Sequence, residues 1–558
     1  MAFQLSAGVN VSEIDLTTIV PSVSTSIGAF AGPFAWGPAG EIITISDEVR
    51  LVDTFGKPDS TNYEYWFSAA NFLAYSNNLK VVRAINEGSS KNATSGTAIL
   101  IKNEDSWENN YSGGSSNTHG VFAARYAGSI GNSLRVSMAD AATYGSWAYA
   151  SQFTSAPANS SYATKQGGSF DELHVIVIDE DGLISGTQGT ILEKYPFVSK
   201  GSDSKDDSGN SNYYRNVITA QSKYIYWMDH AIANGATNWG TTVSAKAFAN
   251  LSSNVTVSLT GGVDGTISTA NVTTAYDTFD SAESVDISLV VSGPANQTLA
   301  DSLISMCVDR KDCLVFLSPE KADVVNNPGD EVTDTVAYRN TLTSSSYAVL
   351  DGNWKYQYDK YNDVYRWIPC NGDIAGLCAR TDLERDPWFS PGGLNRGILK
   401  NVIKLAYNPT KTNRDDLYVK GINPIVSFQG EGTVLFGDKT MLSKPSAFDR
   451  INVRRLFIVL EKAIARAARF SLFEFNDQFT RAQFVALVEP FLRDVQGRRG
   501  ITDFRVVCDE TNNTGEVIDR NEFVGDIYIK PARSINFIQL NFVAVRTGVS
   551  FDEVVGQF

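Results

Sequence analysis

Residues 28–40 read GAFAGPFAWGPAG, and a glycine-rich run this early in a chain is where a phosphate-binding loop would be sought. Such a loop needs backbone amides curled around the phosphate and, in nucleotide hydrolases, a lysine followed by serine or threonine. Gly28, Gly32, Gly37 and Gly40 fit neither common spacing, and no Lys-Ser or Lys-Thr pair follows directly. Small residues in this arrangement permit close packing, with Pro33 and Pro38 shaping a turn. The expectation is a wall of the fold and no phosphate chemistry.

The other candidates for chemistry reduce in the same way. The acidic run from Asp203 to Gly209 puts Lys205 and Ser208 where a calcium loop needs an Asp or Asn and a glycine, so it is expected to be a solvated turn. IDEDG at 178–182 is expected to be a hairpin turn carried by Asp181-Gly182. His174 sits in an apolar strand pattern and His230 in an aromatic segment expected to be helical, while His119 completes a set of only three. Five cysteines (Cys307, Cys313, Cys370, Cys378, Cys508) show no CxxC spacing and read as buried thiols of a protein folded in a reducing compartment. HExxH, GxSxG and zinc-type clusters are absent from the sequence. No catalytic, cofactor-binding or metal-ligating residue is assigned, no cofactor is expected, and the chain is not expected to be an enzyme.

What must position these residues is large. The chain has 558 residues, 43% hydrophobic and 20% charged, a globular balance spread over several domains. Its formal charge of -15 disfavours general binding to nucleic acid. The start, MAFQLSAGVNVSEID, has no basic and apolar signal pattern, and no run of eighteen apolar residues is present, so neither secretion nor membrane insertion is expected.

Along the chain, STSIGAFAG reads as a buried strand, NYEYWFSAANFLAYS as a helix with Trp66, Ala69, Ala70 and Leu73 inward, and LKVVRAI as a second strand. VDISLVVSG, QTLADSLISMCVDR and DCLVFLSPE repeat that β-α-β pattern, with Leu299, Leu303, Ile304 and Cys307 inward. Continuous apolar strands alternating with helices imply a parallel sheet covered on both faces, shared by the two units. KGSDSKDDSGNS (200–211) reads as a surface loop. Towards the end come helices over 449–470 and 478–496 and strands FRVVCDE and INFIQLNFVAV, with Ile538, Leu540, Phe542 and Ala544 on one face of the last. The expected fold is α/β and α+β multidomain, with loop-rich β insertions. Its parts are an extended arm (1–20), a first α/β portion (21–87), a variable loop-rich insertion (88–170), the rest of an outer α/β domain (171–394), a C-terminal α+β domain (395–530) and a terminal strand or arm (531–558).

One surface feature stands out. In DRINVRRLFIVLEKAIARAARF an apolar helical face is backed by Arg455, Lys462, Arg466 and Arg469 on another. Residues 444–500 hold 11 Lys/Arg against 6 Asp/Glu, so the cationic charge of an acidic protein is concentrated here. A solvated face explains most such stripes. A charge-complementary partner is the sharper alternative, for which arginine's planar fork is suited.

Several segments together resemble the contractile tail sheath proteins of long-tailed bacteriophages, a family that includes sheaths of pyocin-like particles. They are GVNVSEID (8–15), residues 24–58, NNLKVVRAI (77–85) and YAGSIGNSLRV (126–136), followed by IPCNGDIAGLCARTD, GINPIVSFQGEGTVLFGDKTM, INVRRLF, FEFNDQF and RVVCDETNN in that order. The resemblance is weak between about 88 and 280. It implies a structural subunit without an active site, polymerising as stacked hexameric rings around an inner tail tube and contracting to drive that tube through a host envelope during genome ejection. It further implies a virion component made in the host cytoplasm, with itself, the tail tube protein, and baseplate and tail terminator proteins as partners. The inner assembly domain would combine the C-terminal part with the N-terminal arm. By this reading Val9, Val11, Ile14 and Leu16 of the arm, and Ile538, Leu540, Phe542 and Ala544 of the last strand, exchange strands between subunits. Arg455, Lys462, Arg466 and Arg469 face the tube. A surface-layer or adhesin-type structural protein is the alternative, suggested by the Ser/Thr/Asn-rich middle.

Overall fold

A computed structural model of the chain describes residues 23–536 apart from 116, together with 538 and 539. Val9, Val11, Ile14, Leu16, Leu540, Phe542 and Ala544 lie outside the described residues.

The glycine-rich stretch begins as the strand Gly28–Pro33, inside a seven-stranded sheet. Across the sheet run Ile422–Asn423, Ala348–Asp351, Leu314–Leu317, Leu289–Val291, Gly28–Pro33, Leu79–Ala84 and Ile43–Ile45. All pairs are parallel except Ile43–Ile45 against Leu79–Ala84. The expected sharing of one sheet by the two β-α-β units is met where Gly28 aligns with both Leu79 and Leu289.

Alternation along a strand sends successive side chains to opposite faces. Phe30 points to a core built with Trp66, Phe72, Ile374 and Leu377 from the helices Tyr63–Leu73 and Asn371–Glu384. Ala29 and Ala31 point to a second core with Val272, Leu299, Leu303 and Tyr338 from Thr269–Tyr276, Gln297–Arg310 and Glu331–Thr341. Gly28 is required by packing, since a Cβ there would sit 2.6 Å from the Phe72 ring and 2.7 Å from Leu79.

The segment between Leu79–Ala84 and Thr269–Tyr276 combines many turns with paired strands. It holds an antiparallel sheet in the order Thr190–Ser199, Glu172–Asp179, Leu134–Asp140, Val255–Ser258. The expected boundary at 170/171 therefore falls inside one sheet, because Leu134–Asp140 pairs directly with Glu172–Asp179. The hairpin at IDEDG turns through ten residues, 180–189, gathered by the Asp179 carboxylate, which accepts from the amides of Ile184 and Ser185 and the Ser133 hydroxyl. The aromatic segment before His230 is not helical: Ile225–Trp227 is a strand paired with Phe122–Ala124, the outcome that tyrosine and tryptophan favour where one face is buried. This insertion leaves and rejoins the parallel sheet at one place. Lys91 and Val263 exchange backbone hydrogen bonds, and Ser90 and Asn86 donate to the carbonyls of Asp264 and Thr266.

The boundary at 394/395 also moves. Lys404–Leu405 pairs with Trp354–Asp359 and Ile422–Asn423 edges the large sheet, so the central body continues to about residue 441. The C-terminal body then consists of Ile451–Ala468, Gln478–Gly497 and a two-stranded antiparallel sheet, Ile501–Val507 with Asp526–Pro531. Its own core joins Leu456, Leu460, Phe484, Val488, Leu492 and Ile501.

Candidate functional site

The four cations of the helix Ile451–Ala468 and its end do not form one free stripe. Arg455 is buried and donates to the Asp382 carboxylate at 2.6 Å, and its guanidinium also reaches the carbonyls of Cys378 and Thr25. Burial opposes its charge, but Asp382 beside it holds the Arg455 pKa above the ordinary value. Burial pushes the Asp382 carboxyl up, and Arg455 opposes that shift. The assignment of Arg455 to an outside partner is therefore corrected: it joins this helix to Asn371–Glu384 and to the chain entering the first strand. Lys462 pairs with Asp286, donates to the Ile287 carbonyl at 3.1 Å and lies 3.9 Å from Asp312. Arg466 reaches the same Asp286 at 3.5 Å but stays exposed. Arg469, one turn on, is exposed and has no ion pair among the described residues.

Beyond Arg469 the chain turns through 470–477, with Phe473 in the left-handed region at φ 71°, before Asp477 caps the helix Gln478–Gly497. Phe470, Leu472, Phe473, Phe475 and Phe479 all face solvent, the densest group of exposed large apolar side chains in the described structure. FEFNDQF carried this signal in the sequence, as apolar residues spaced too irregularly for one buried face. Ile538, the described member of the last strand's proposed face, is also exposed.

Among the described residues the strands Ile501–Val507 and Asp526–Pro531 each have one neighbour, with Tyr528 outward. Two-stranded sheets are marginal alone, and unpaired edges accept further strands. Val23, the first described residue, packs with Ala463, Ala467, Leu487 and Phe491 of the two C-terminal helices.

Parallel sheets bind ligands outside the carboxyl ends of their strands, where the strand order reverses. Here that place lies between Gly28–Pro33 and Leu289–Val291, and Tyr65 with Phe30 fills it: Cβ atoms on Gly32 and Gly293 would sit 3.0 and 3.1 Å from Tyr65. The following turn is held by Arg83, which is buried and donates to the carbonyls of Phe34, Gly37 and Ala127 at 2.7–2.8 Å. Burial lowers its pKa to about 10. Further along the carboxyl edge, Asp351 accepts from the Ser318 hydroxyl at 2.7 Å, and burial pushes its pKa up to about 8. Nearby, Lys355 pairs with Asp373, which also accepts from the Tyr75 hydroxyl. These groups saturate one another and act as structural ties.

The histidines are likewise structural. His174 is buried and stacks on Phe153, with Nε2 against the Ser155 carbonyl and Nδ1 accepting from the Phe197 amide. His230 lies among Tyr213, Tyr214, Trp227 and Trp239, and burial lowers its pKa to about 4. His119 Nδ1 meets the Thr97 carbonyl. Sequence reasoning missed Lys200: it opens an apparent surface loop yet is fully buried, paired with Asp140 at 2.8 Å and 4.9 Å from the Trp239 ring. All five cysteines are free and buried. Among the described residues no His/Cys/Asp/Glu group could hold a metal ion, and no helix is long and apolar enough to cross a membrane.

Comparison with known proteins gives these surfaces a context. Residues 265–441 match the phage tail sheath protein central domain, 443–544 the phage tail sheath C-terminal domain, and 25–84 the N-terminal region of domain III of the tail sheath protein Gp18. The interval left between 84 and 265 is the antiparallel insertion. The tail sheath protein of Enterobacteria phage T4 is 33% identical, with 99% of each chain covered. That of Vibrio phage KVP40 is 34% identical, covering 99% of this chain and all of the relative. In fold, the chain resembles the contracted helical sheath of the anti-feeding prophage (13% identity, TM-score 0.52, 97% and 99% of the two chains covered). It also resembles a sheath tail protein from Listeria innocua (12%, 0.52, 92% and 96%).

Proposed function

We propose a mechanism of assembly from the premise that this chain belongs to the tail sheath protein family of bacteriophages and is a structural subunit of a contractile tail sheath. The observation that carries the premise is identity at a third of positions along the whole of both chains. The relatives are structural proteins of phage tails. Nothing in the structure favours the surface-layer or adhesin alternative.

In this mechanism subunits stack as rings around an inner tube, within a virion whose parts are made in the host cytoplasm, and meet baseplate and terminator proteins at the ends. Contraction repacks the subunits, and the driving free energy is stored in contacts between them. The arms at 1–20 and 531–558 add strands to the unpaired edges of Ile501–Val507 and Asp526–Pro531 in neighbouring copies. A backbone ladder of that kind survives a swivel of the domains it joins. Two features support the placement: the marginal two-stranded sheet and the packing of Val23, the first described residue, on the C-terminal helices. The tube contact is narrower than the sequence suggested. Lys462 is tied within the chain to Asp286 and the Ile287 carbonyl, which leaves the exposed Arg466 and Arg469 to meet an acidic tube.

The test is a deletion of residues 1–18. The expected product is a folded monomer that forms neither rings nor tubes under the electron microscope. Normal striated tubes from the truncated chain would refute strand exchange by the N-terminal arm.

A further inference from the structure

Among the described residues two lysine–aspartate pairs expose 1% or less of either side chain, Lys200 with Asp140 and Lys355 with Asp373. Burial on that scale disfavours both charges, and a proton moved from ammonium to carboxylate leaves an amine beside a carboxylic acid. Those are the two reactants of an amide. The hydrogen bonds around each pair decide whether its members stay apart.

At Asp140 both oxygens are committed. Besides the Lys200 ammonium, Oδ2 accepts from the Leu251 amide at 2.8 Å, and Oδ1 accepts from the Thr143 hydroxyl at 3.2 Å. Losing either oxygen would strand a buried donor, so this pair remains ionic.

Asp373 is held differently. Lys355 lies on the middle strand of a three-stranded sheet, level with Ile368 on one neighbour and Leu405 on the other. Its Nζ donates to Asp373 Oδ1 at 2.9 Å and to the Lys400 carbonyl at 3.0 Å. The Tyr75 hydroxyl donates to the same Oδ1 at 3.0 Å, whereas Oδ2 lies 2.8 Å from Nζ without a hydrogen bond. Asp373 stands in the first turn of the helix Asn371–Glu384, where a carboxylate is favoured, yet burial pushes its carboxyl up. Oδ2 is the oxygen whose departure strands no donor. What remains around the pair matches an amide, with the Lys400 carbonyl to accept from its N–H and the Tyr75 hydroxyl to donate to its C=O.

We propose that Lys355 and Asp373 condense to an intramolecular amide between Nζ and Cγ, linking the strand Trp354–Asp359 to the helix Asn371–Glu384. The ammonium gives one proton to the carboxylate and the freed amine bonds to Cγ. A second proton follows, the Cγ–Oδ2 bond breaks, and that oxygen leaves with both protons as water. The third proton stays on the amide nitrogen, and no oxidant or cofactor is consumed. Negative charge gathering on Oδ1 during the attack meets the Tyr75 hydroxyl. Fixed reactants of this kind react as if present at about 100,000 M or more, and exclusion of water opposes the reverse hydrolysis. The same helix carries Asp382, the partner of Arg455, so the amide would make covalent one link between the C-terminal body and the central body.

The test weighs the purified full chain by intact mass spectrometry after denaturation and maps it by tandem spectra of its tryptic peptides. Most chains should be one water lighter than their sequence, with a branched fragment joining the peptides that contain Lys355 and Asp373. Lys355→Arg keeps the cation but cannot form this amide, and it should have the full mass of its sequence, as should Asp373→Ala. A parent chain of full mass refutes the proposal whether or not either variant folds. So does water loss that persists in Lys355→Arg. Water loss mapped to Lys200 with Asp140, or to a cyclic imide at Asp181-Gly182, refutes it equally.

Discussion

Arg455 separates a surface stripe from an internal tie, and its removal distinguishes the two. Exposed ion pairs contribute about 0.2–1 kcal/mol, so Arg455→Ala on a solvated face would speed local opening less than about sixfold. In the structure the substitution instead leaves the Asp382 carboxylate buried without its partner, and takes a donor from the carbonyls of Cys378 and Thr25. Breaking a buried pair from one side costs about 3–5 kcal/mol, or roughly 150- to 5,000-fold in an opening equilibrium. Hydrogen–deuterium exchange of peptides from Ile451–Ala468 measures this locally, which suits a chain of several domains that need not unfold together. The pH dependence follows from Asp382. Without Arg455 its carboxyl pKa rises further, so the folded state holds a proton that the unfolded state releases above about pH 4. The variant's deficit should therefore shrink as pH falls towards 4 and widen towards 8. Combining Arg455→Met with Asp382→Leu should recover most of the loss, since an apolar pair of similar size removes both desolvated charges. An acceleration below sixfold at pH 8 would refute the internal tie.

Two further outcomes are expected. Gly28→Ala should lower the thermal midpoint followed by tryptophan fluorescence, because its Cβ would press on Phe72 and Leu79 and overpacking costs about 1–3 kcal/mol; an unchanged midpoint would count against the close packing described. Asp351, with its pKa pushed up to about 8, stays protonated in the fold at pH where the unfolded carboxyl is ionised, so its stabilisation is full below about pH 4 and lost as pH rises through 8. Exchange in Ala348–Asp351, corrected for intrinsic rates, should show protection falling over that range and Asp351→Asn should flatten it; an unaltered slope in the variant would show another group to be responsible.

The parallel sheet was legible because strands buried on both faces leave unbroken apolar runs, as in VDISLVVSG, and because the helix Gln297–Arg310 buries the four residues its spacing selects. The insertion was not, since its strands and connections draw on serine, asparagine and glycine that also make loops, and its sheet pairs residues far apart in sequence. Lys200 looked solvated because its partner Asp140 is sixty residues away. A helical periodicity shows that Arg455 and Arg469 share a face, but not that one end of that face is covered by Asn371–Glu384 and the other is bare.

The paired backbone hydrogen bonds of Lys91 with Val263 close the neck of the insertion. Chain enters and leaves through a gap one strand pair wide. The turn after Gly28–Pro33 also meets the insertion, through Arg83 to the Ala127 carbonyl, the Ala39 amide to the Lys102 carbonyl, Asn103 to the Ala39 carbonyl and Trp36 against Tyr126, so the neck is a splice point once those few contacts are replaced. Some 170 residues could be exchanged there for a short turn or for foreign cargo, turning the outside of a contractile polymer into a display scaffold whose inner gearing is left as it is.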